Sequence, residues 1–342
     1  MNARSGILSG GNWIVDKLKL IDTYPQQDAL ANITGQSISN GGAPFNVLVD
    51  LAKLGAPFPL EAIGLVGNDA DGQWIHECCQ ANQIGTEQLR THESAPTSYT
   101  DVMVVRSTAR RTFFHQRGAN ALLGDSHFDF NRTSARLFHL GYLLLLDLLD
   151  EPDSEFGTVA ARVLARARAA GLKTSVDVVS EDSQRFASVV LPALPQVDYC
   201  VLNEFELERT TGIPTRPDGN IDGGAIRRAS EQLLNAGVRE WVIVHFPEGA
   251  TALGANGTFC HQPSLQLPQG IIVSTVGAGD AFAAGVLLGL HEGVKIQDAL
   301  EYGVTAAASC LFGAGTSEHL MSLADCLALK RKFGFREEIT IV

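Results

Sequence analysis

From about residue 136 onward, short apolar segments alternate with helical patterns, and this alternation constrains the fold more than any other feature. Strands are predicted at residues 136–140 (ending at Gly141), 172–179, 197–202 and 239–246. Helices are predicted at residues 157–170, 223–236 and 296–311, and a hairpin turn at 254–257. This alternation indicates a mostly parallel sheet with helices on both faces, in which ligands bind at the carboxyl ends of the strands.

The segment from Gly270 to Gly293 combines three local signals. Residues Ile271–Val273 form a β-branched apolar run, which predicts a short buried strand. Gly277–Gly279 predict a tight turn, and apolar residues at helical spacing then predict a helix from Asp280 to His291 that ends at Gly293. A strand, a glycine turn and a helix start in this order predict an anion site, because the first helical turn carries unpaired N–H groups at its positive end.

Asp280 is unusual at such a site, because a carboxylate there weakens the binding of a phosphate. Its presence is explained if it accepts a proton from an attacking hydroxyl while the amides of Gly277, Ala278 and Gly279 hold a transferred phosphoryl group. The alternative is that Asp280 is an ordinary acid of a first helical turn and that the glycines only allow close packing.

The N-terminal part predicts a second glycine-rich helix start between several strands. Strands are predicted at residues 12–21, 32–40, 60–66, 97–105 and 111–116, the last two joined by a turn at 106–110. Gly41 and Gly42 precede Pro44, which suits a first helical turn, and this helix is predicted to end at Gly55. A second helix is predicted to end near residue 82. The two earliest strands and the hairpin are expected to form a small separate sheet.

Two polar residues in this part are candidate ligand contacts. Asp16 interrupts the first strand, and it is either a solvent-facing residue at a strand end or a ligand for a polar substrate. Asn46 lies in the first turn of the first helix, where its amide either reaches a ligand held at the glycines or caps the helix.

The composition favours a small-molecule partner. The net charge is −12, from 26 basic and 38 acidic residues, whereas surfaces for nucleic acid or anionic membranes carry a basic excess. The 45% apolar content suffices for the core of one or two domains. Six cysteines without a CxxC pair are expected to be reduced core residues of a cytoplasmic protein, and neither a signal peptide nor a membrane span is expected.

Four motifs together resemble one known family. The segment TVGAGDAF at 275–282 resembles the C-terminal signature of the ribokinase/PfkB family of carbohydrate kinases, and GGAPFN at 41–46, followed by AKLG at 52–55, resembles its N-terminal signature. Gly118-Ala119-Asn120 and the N-x-x-E motif from Asn203 to Glu206 match two further landmarks in the right order. The resemblance covers nearly the whole chain.

The resemblance implies a fold, a reaction and its cofactors. The fold would be one ribokinase-like, doubly wound α/β domain over residues 1–342, with a mostly parallel sheet and helices on both faces. A small β-sheet lid would be formed by strands at about 12–23, 32–41 and 97–117. The reaction would be transfer of the γ-phosphoryl group of ATP to a sugar hydroxyl, with Mg²⁺ as the metal.

The resemblance also implies roles for individual residues. Asp280 would be the base, and the N–H groups of Gly277, Ala278 and Gly279 the anion hole. Substrate hydroxyls would be held by Asp16, Gly41, Gly42, Asn46 and Asn120. The nucleotide would contact Asn203, His245, Gly249 and Thr275, and Glu206 would organise Mg²⁺ directly or through water.

Three positions depart from the family pattern. His245-Phe246-Pro247-Glu248-Gly249 replaces the family's segment beside the nucleotide, and Asp177-Val178-Val179 lacks the amide of its D-x-N pattern. Ser274 stands where members that bind a monovalent cation usually carry an Asp, so no potassium site is expected.

The substrate is only partly constrained. Gly42-Ala43-Pro44 resembles fructokinase-like members and lacks a lysine, which favours a neutral sugar over a sugar phosphate. Phe45 either packs in the core or lines the pocket for a flat substrate such as a nucleoside. Four arginines lie in or beside the predicted lid, where they either protect an edge strand or, Arg117 above all, contact an anionic substrate group: Arg106, Arg110, Arg111 and Arg117.

Three further questions stay open at this point. An ATP-dependent sugar kinase is the leading hypothesis, with a nucleoside kinase or a catalytically silent binding protein of the same fold as alternatives. A dinucleotide-dependent oxidoreductase is disfavoured because no G-x-G-x-x-G turn follows the first strand. Lid-mediated dimers are common in the resembling family, and the tail from Phe333 to Val342 is expected to dock on the body or on a partner.

Overall fold

Three β-sheets, of nine, four and two strands, are present in residues 4–108 and 110–340, which the computed structural model describes. The strands are β1 (Ile7–Gly11), β2 (Ile14–Ile21), β3 (Ile33–Gly41), β4 (Leu60–Gly67), β5 (Ile84–His92), β6 (Ser98–Val105), β7 (Arg111–Gln116), β8 (Leu137–Leu143), β9 (Pro152–Asp153), β10 (Gly157–Thr158), β11 (Lys173–Val178), β12 (Tyr199–Asn203), β13 (Trp241–Phe246), β14 (Gly249–Gly254) and β15 (Phe259–Pro263). The α-helices are α1 (Ala43–Leu54), α2 (Ala70–Ala81), α3 (Val159–Ala169), α4 (Phe186–Ala193), α5 (Glu204–Thr211), α6 (Gly223–Asn235), α7 (Ala278–Glu292), α8 (Ile296–Cys310) and α9 (Leu323–Phe333).

The nine-stranded sheet has the order β15-β14-β13-β12-β11-β8-β1-β4-β5. The strands from β13 to β5 in this order run parallel to their neighbours, and β14 and β15 add an antiparallel hairpin at one edge. This arrangement confirms the mostly parallel sheet that the alternation of strands and helices predicts.

Helices cover both faces of this sheet, as predicted. One apolar cluster joins α3, α4, α5 and α6 to one face, and a second joins α1, α2, α7, α8 and α9 to the other. Successive residues of a strand point to opposite faces of the sheet and therefore belong to different clusters. In β1, Leu8 belongs to the first cluster and Ile7 to the second. A sheet buried on both faces explains why its strands read as continuous apolar runs.

The four-stranded sheet, called here the lid sheet, has the order β3-β2-β6-β7. Strand β2 pairs antiparallel with β3 and parallel with β6, and β6 pairs antiparallel with β7. It confirms the small separate sheet predicted from the N-terminal strands and the hairpin.

One predicted strand does not form, and one predicted strand boundary is wrong. Residues Ile271–Val273 do not form a buried strand, since Val273 is 59% exposed and donates its N–H to the carbonyl of Leu311 at the end of α8. This run therefore meets a helix end, where no strand offers a partner. Strand β8 does not end at Gly141 but continues to Leu143, because Gly141 still pairs with β1 and Leu143 with β11.

The described part of the C-terminal tail, which ends at Thr340, docks on the body of the protein, whereas Ile341 and Val342 lie outside the described residues. Phe335 forms an isolated bridge with Leu265, and the N–H of Arg336 donates to the carbonyl of Ser264 at 2.9 Å.

All six cysteines are free thiols, and four of them are buried. Within residues 4–108 and 110–340, no helix combines the length and the apolar character that a membrane crossing requires.

Candidate active site

Two clefts open near the carboxyl ends of the parallel strands and meet beside the start of α7. The lid-side cleft, about 560 Å³, lies against the lid sheet, and its polar walls include Asp16, Asn46, Thr100, His115, Tyr142, Asp177, Glu206 and Asp280. The apolar cleft, about 620 Å³, is walled mainly by Phe205, Phe246, Pro247, Leu265, Leu267, Ile272, Phe282, Val304 and Leu311. Four residues line both clefts: Ser180, Asn203, His245 and Gly279.

The start of α7 lies at this junction and exposes its backbone donors. Gly277 is the N-cap with φ 78°, and a Cβ there would lie 2.3 Å from the carbonyl oxygen of Thr316, so only glycine fits. The first helical bond runs from the N–H of Ala281 to the carbonyl of Gly277 at 2.8 Å. Within the described residues the N–H groups of Gly277 and Gly279 donate to no acceptor, which leaves them for an anion.

Asp280 follows directly and is 6% exposed. Its Oδ2 accepts a hydrogen bond from Nδ2 of Asn46 at 2.8 Å, and its two oxygens lie 3.1 and 3.3 Å from the hydroxyl of Tyr142. Burial raises the pKa of Asp280 to about 6, and the hydrogen bonds from Asn46 and Tyr142 oppose that rise. A carboxyl group with such a pKa is ionised at neutral pH and still basic enough to accept a proton from a hydroxyl.

Three further carboxyl groups line the lid-side cleft. Burial and then the charge of Asp280 raise the pKa of Asp16 to about 7. Burial, Glu206 and Asp280 raise the pKa of Asp177 well above its usual range. Mutual repulsion of this kind marks a site that a cation or a set of hydroxyl donors stabilises.

Asn203 and Glu206 cap the start of α5 reciprocally. The Asn203 side chain accepts from the N–H of Glu206, and Glu206 accepts from the N–H of Asn203, at 2.8 and 2.9 Å. The Glu206 carboxylate also accepts from the Ser180 hydroxyl at 2.6 Å. Both of its oxygens are therefore engaged, and burial raises its pKa to about 7.

The donor set fits Mg²⁺ held mostly by water and phosphate rather than by a protein cage. No group of three His, Cys, Asp or Glu side chains in the described part of the chain is placed to hold a metal ion. Mg²⁺ commonly keeps several waters and binds through one or two carboxylates together with phosphates. The repelling pair of Glu206 and Asp177 supplies such carboxylates at the junction of the clefts.

His245 is the distinctive residue of the apolar cleft. Its ring packs on Phe282, with centroids 5.0 Å apart, and its Cε1 lies 3.2 Å from where a Cβ of Gly279 would stand. Burial lowers its pKa to about 4, so the imidazole is neutral beside the start of α7. Gly249 and Thr275 also line this cleft, and their role as nucleotide contacts stays a prediction.

Two predicted substrate contacts, Gly41 and Asn120, do not line the lid-side cleft. The Asn120 amide is occupied by the backbone of Trp13, from which it accepts at 3.2 Å and to which it donates at 3.0 Å. A Cβ on Gly41 would lie 2.5 Å from Oδ1 of Asp16. Both residues therefore position the strand that carries Asp16, whereas Asp16, Gly42 and Asn46 line the cleft themselves.

Three other open questions are settled by contacts. Phe45 is fully buried between Trp13 and Trp74, so it belongs to the core and not to the cleft. Arg117 pairs with Asp147 at 2.8 Å, which explains its position without a substrate anion. Arg111 donates to the Ser274 hydroxyl at 2.8 Å and thereby joins the lid sheet to the loop before α7.

The sequence motifs missed Tyr142, although its hydroxyl contacts Asp280. No motif includes it, because the two residues lie 138 positions apart. The available signal was its place directly after Gly141, near the carboxyl end of a parallel strand.

Comparisons with known proteins agree with this architecture. A family model described as pfkB family carbohydrate kinase matches residues 13–322. A ribokinase of Arabidopsis thaliana is 27% identical over 299 residues, which cover 85% of this chain and 72% of that protein. A probable chloroplastic fructokinase-6 of the same plant is 27% identical over 279 residues, covering 78% and 67%. The structure of Arabidopsis thaliana ribokinase complexed with ribose and ATP superposes with a TM-score of 0.78 and 22% identity, covering 96% of this chain and 98% of that one.

The fold is therefore ribokinase-like: a mostly parallel sheet between helices, with a small second sheet beside it. The match over residues 13–322 shows that the chain belongs to the pfkB family of carbohydrate kinases. The resemblance inferred from the four motifs is confirmed.

Proposed function

We propose that the protein transfers the γ-phosphoryl group of ATP to a hydroxyl of an uncharged sugar. The observation that carries this proposal is the place of Asp280. Its buried carboxylate borders the unpaired N–H groups of Gly277 and Gly279, at the point where the two clefts meet. A proton acceptor and an anion hole are thus adjacent to both substrate spaces.

In this proposal the sugar occupies the lid-side cleft and the nucleotide occupies the apolar cleft. The attacking hydroxyl passes its proton to Asp280 as its oxygen forms a bond to the γ-phosphorus, and the bond from that phosphorus to the leaving oxygen breaks to give ADP. The unpaired N–H groups of Gly277 and Gly279 stabilise the negative charge on the transferred group, and the N–H of Ala278 joins them by giving up its long, 3.4 Å contact with the carbonyl of Thr275. Donors of this kind contribute about 2.7–4 kcal/mol each to lowering the barrier.

Glu206 and Asn203 would hold Mg²⁺ through water, with Asp177 close by. When bound, the ion offsets negative charge on the phosphates. The chain's own part is to keep Glu206 fixed, through Ser180 and the N–H of Asn203, in the orientation that the capping contacts define.

The apolar cleft suits the adenine and ribose of ATP. Phe205, Leu265 and Leu311 offer apolar surface, while His245 and Thr275 stand near the start of α7. The similar ribokinase from Arabidopsis thaliana was solved with ribose and ATP, which supports both ligands here.

The charge of the lid-side cleft favours an uncharged sugar. Among the described residues that line it, four carry carboxyl groups and none is a lysine or arginine. An anionic substrate group would therefore be desolvated without a cationic partner, which is costly. The names of the two relatives described above suggest ribose and fructose, which are uncharged. Other relatives are named 5-dehydro-2-deoxygluconokinase and ribose-1-phosphate kinase, and the anionic acceptors that these names suggest do not match the lining of this cleft.

A nucleoside kinase is the second candidate, because Phe113 lines the lid-side cleft and is 58% exposed. An aromatic ring in this place could stack on a base as well as on a sugar face. The two candidates differ in the acceptor they phosphorylate.

The test is release of ADP from Mg-ATP with a panel of neutral sugars, nucleosides, aldonic acids and sugar phosphates. The proposal expects turnover with a neutral sugar and little with the anionic compounds. Turnover with nucleosides alone would select the second candidate. Binding of ATP by calorimetry without turnover on any compound would contradict both and would indicate a silent binding protein.

A dimer formed through the lid sheets belongs to the same proposal. The strand registers place Leu18, Leu20, Val102 and Val104 on the same face as Phe113, but these four residues do not line the lid-side cleft, and Leu20 is 37% exposed. Two such apolar faces could cover each other. Light scattering should give twice the chain mass for the wild type and the single mass for Leu20→Glu, whereas a monomeric wild type would contradict the dimer.

A further inference from the structure

Strand β7 presents three side chains toward the active site. Arg111, Phe113 and His115 alternate along the strand and therefore share one face. Arg111 contacts Ser274 at one end, while Phe113 and His115 line the lid-side cleft. Phe114 lies on the opposite face and is 51% exposed. Strand β7 is the edge of the lid sheet and pairs only with β6 in the described structure.

The neighbours of His115 favour the tautomer that is protonated at Nδ1. Nδ1 of His115 lies 3.0 Å from the Thr100 hydroxyl, and the strand registers place Asp16, Thr100 and His115 side by side in one cross-strand row, where Thr100 lowers the pKa of Asp16. A hydroxyl has one proton, so Thr100 accepts the Nδ1–H of His115 when it donates to Asp16. Burial lowers the pKa of His115, and the ring is neutral. In this tautomer Nε2 is an acceptor without a proton.

This acceptor has no partner in the described part of the chain. Nε2 of His115 is shielded from solvent and makes no hydrogen bond, although the residue lines a cleft made for a polar ligand. A buried polar atom without a partner is rare and is commonly satisfied by a ligand or a water. Asp16, linked to His115 through Thr100, is a second acceptor at the same end of the cleft.

We propose that His115 is a specificity residue, whose Nε2 accepts a hydrogen bond from one hydroxyl of the sugar while Asp16 accepts one from a neighbouring hydroxyl. This proposal rests on the sugar-kinase function. It identifies the recognised group as a vicinal diol of an uncharged sugar. The ring of Phe113, on the same face of β7, covers the adjacent carbon surface of the sugar.

The consequence is discrimination against the deoxy sugar that lacks this hydroxyl. A site built to bind a hydroxyl rejects the analogue without it, because the acceptor of the site is then left buried and unpaired. Substrates that differ at other hydroxyls should not depend on His115 in this way.

Two substitutions separate the two nitrogens of the ring. The amide of His115→Asn reaches only the position of Nδ1 and can keep the contact with Thr100, whereas the amide of His115→Gln reaches the position of Nε2. We would measure KM and kcat of wild type, H115N, H115Q and the outward-facing control F114L. The substrates are D-ribose, D-fructose and the monodeoxy analogues of whichever is phosphorylated best.

The proposal expects H115N to lose about tenfold in kcat/KM, mainly through KM, and H115Q and F114L to stay within about threefold of wild type. One monodeoxy analogue should be about tenfold poorer for wild type but equal to the parent sugar for H115N. Equal losses in H115N and H115Q, or unchanged discrimination in H115N, would overturn the role of His115 alone. Absence of turnover by wild type would instead overturn the sugar-kinase function and this proposal with it.

Discussion

The Asn46 side chain donates to Oδ2 of Asp280 at 2.8 Å, although the two residues lie 234 positions apart. The contact joins the first turns of α1 and α7, which the two family signatures supply. Oδ1 of Asn46 accepts from Asn40 at 2.6 Å, and Asn40 also donates to Ser317 at 2.9 Å. The amide of Asn46 is thus held in one orientation, with its N–H toward the proposed base.

Tyr142→Phe should move the acidic limb of the pH profile of kcat/KM to higher pH. The reaction requires ionised Asp280, so activity should fall as the pH drops below the pKa of about 6. The Tyr142 hydroxyl lowers this pKa, so its removal should raise the midpoint of the acidic limb above that of wild type. Tyr24→Phe, at an exposed position, is the control. A midpoint that stays in place or moves to lower pH in Y142F would contradict the contact.

Asp50→Asn should stabilise the protein at alkaline pH relative to acidic pH. Asp50 lies one turn after Asn46 on α1, is fully buried, and neither oxygen has a hydrogen-bond partner among the described residues. Burial raises its pKa well above the usual range, and Ser317 opposes this only in part, since it makes no bond of ordinary geometry with either oxygen.

The sign of the effect follows from proton linkage. Above the pKa of an unfolded Asp, about 3.9, unfolding releases the proton that the folded protein retains, so Asp50 costs stability as the pH rises toward its folded pKa. The asparagine variant has no titrating group at this position and so lacks this pH-dependent loss of stability. Its thermal midpoint relative to wild type should therefore increase between pH 5 and pH 8, by about 1–2 °C for each kcal/mol. A difference that is constant with pH, or that decreases, would show that Asp50 is not a neutral acid in the folded state.

Phe45→Ala should destabilise the protein without directly removing a substrate contact. Phe45 packs against Trp13 and Trp74 at centroid distances of 5.2 and 5.9 Å, and loss of such a ring costs about 3–5 kcal/mol. The milder Phe45→Leu should leave the KM for the sugar within about twofold, while chemical denaturation shows a smaller loss of stability. A large rise in KM with unchanged stability would show that Phe45 contacts the substrate and would contradict its place in the core.

The parts of the fold that the sequence predicted well are those with a regular pattern. The run at residues 239–246 and the helix ending at Gly293 follow local rules, and the structure confirms both. Residues Ile271–Val273 obey the same rules for a strand, yet the nearest backbone partner is a helix end. A local pattern does not state whether a neighbouring strand is present, and this strand prediction failed for that reason.

Strand β1 is the opposite case, because the structure has a strand where the local sequence pattern does not predict one. It ends with Gly10 and Gly11, which local propensity disfavours in strands. The position of β1 between β4 and β8 requires them: a Cβ on Gly11 would lie 1.7 Å from the carbonyl oxygen of Gly141. Glycine is therefore required at this position by tertiary packing and not by local propensity.

The residues of the candidate site also fall into two groups: those that local motifs identify, and those that only the tertiary structure brings together. Motifs located Asp280, Asn46 and the N-x-x-E residues, because each belongs to a helix start with a recognisable spacing. Tyr142 and His115 are side chains on strands, and only the assembly of two sheets brings them to the cleft. Asn120 is the reverse case: its motif is present and suggests a substrate contact, but its amide forms hydrogen bonds with the backbone of Trp13 instead.

Asp280→Asn provides the most direct test of the proposed mechanism, in an ADP-release assay with the best sugar and with ATP binding measured by calorimetry. Loss of the base predicts a fall in kcat of about 10²–10⁴-fold with ATP affinity retained. Asp298→Asn, which changes a first-turn acid of α8, should leave turnover unchanged. If D280N turns over at the wild-type rate, Asp280 is an ordinary first-turn acid and the proposed mechanism is wrong.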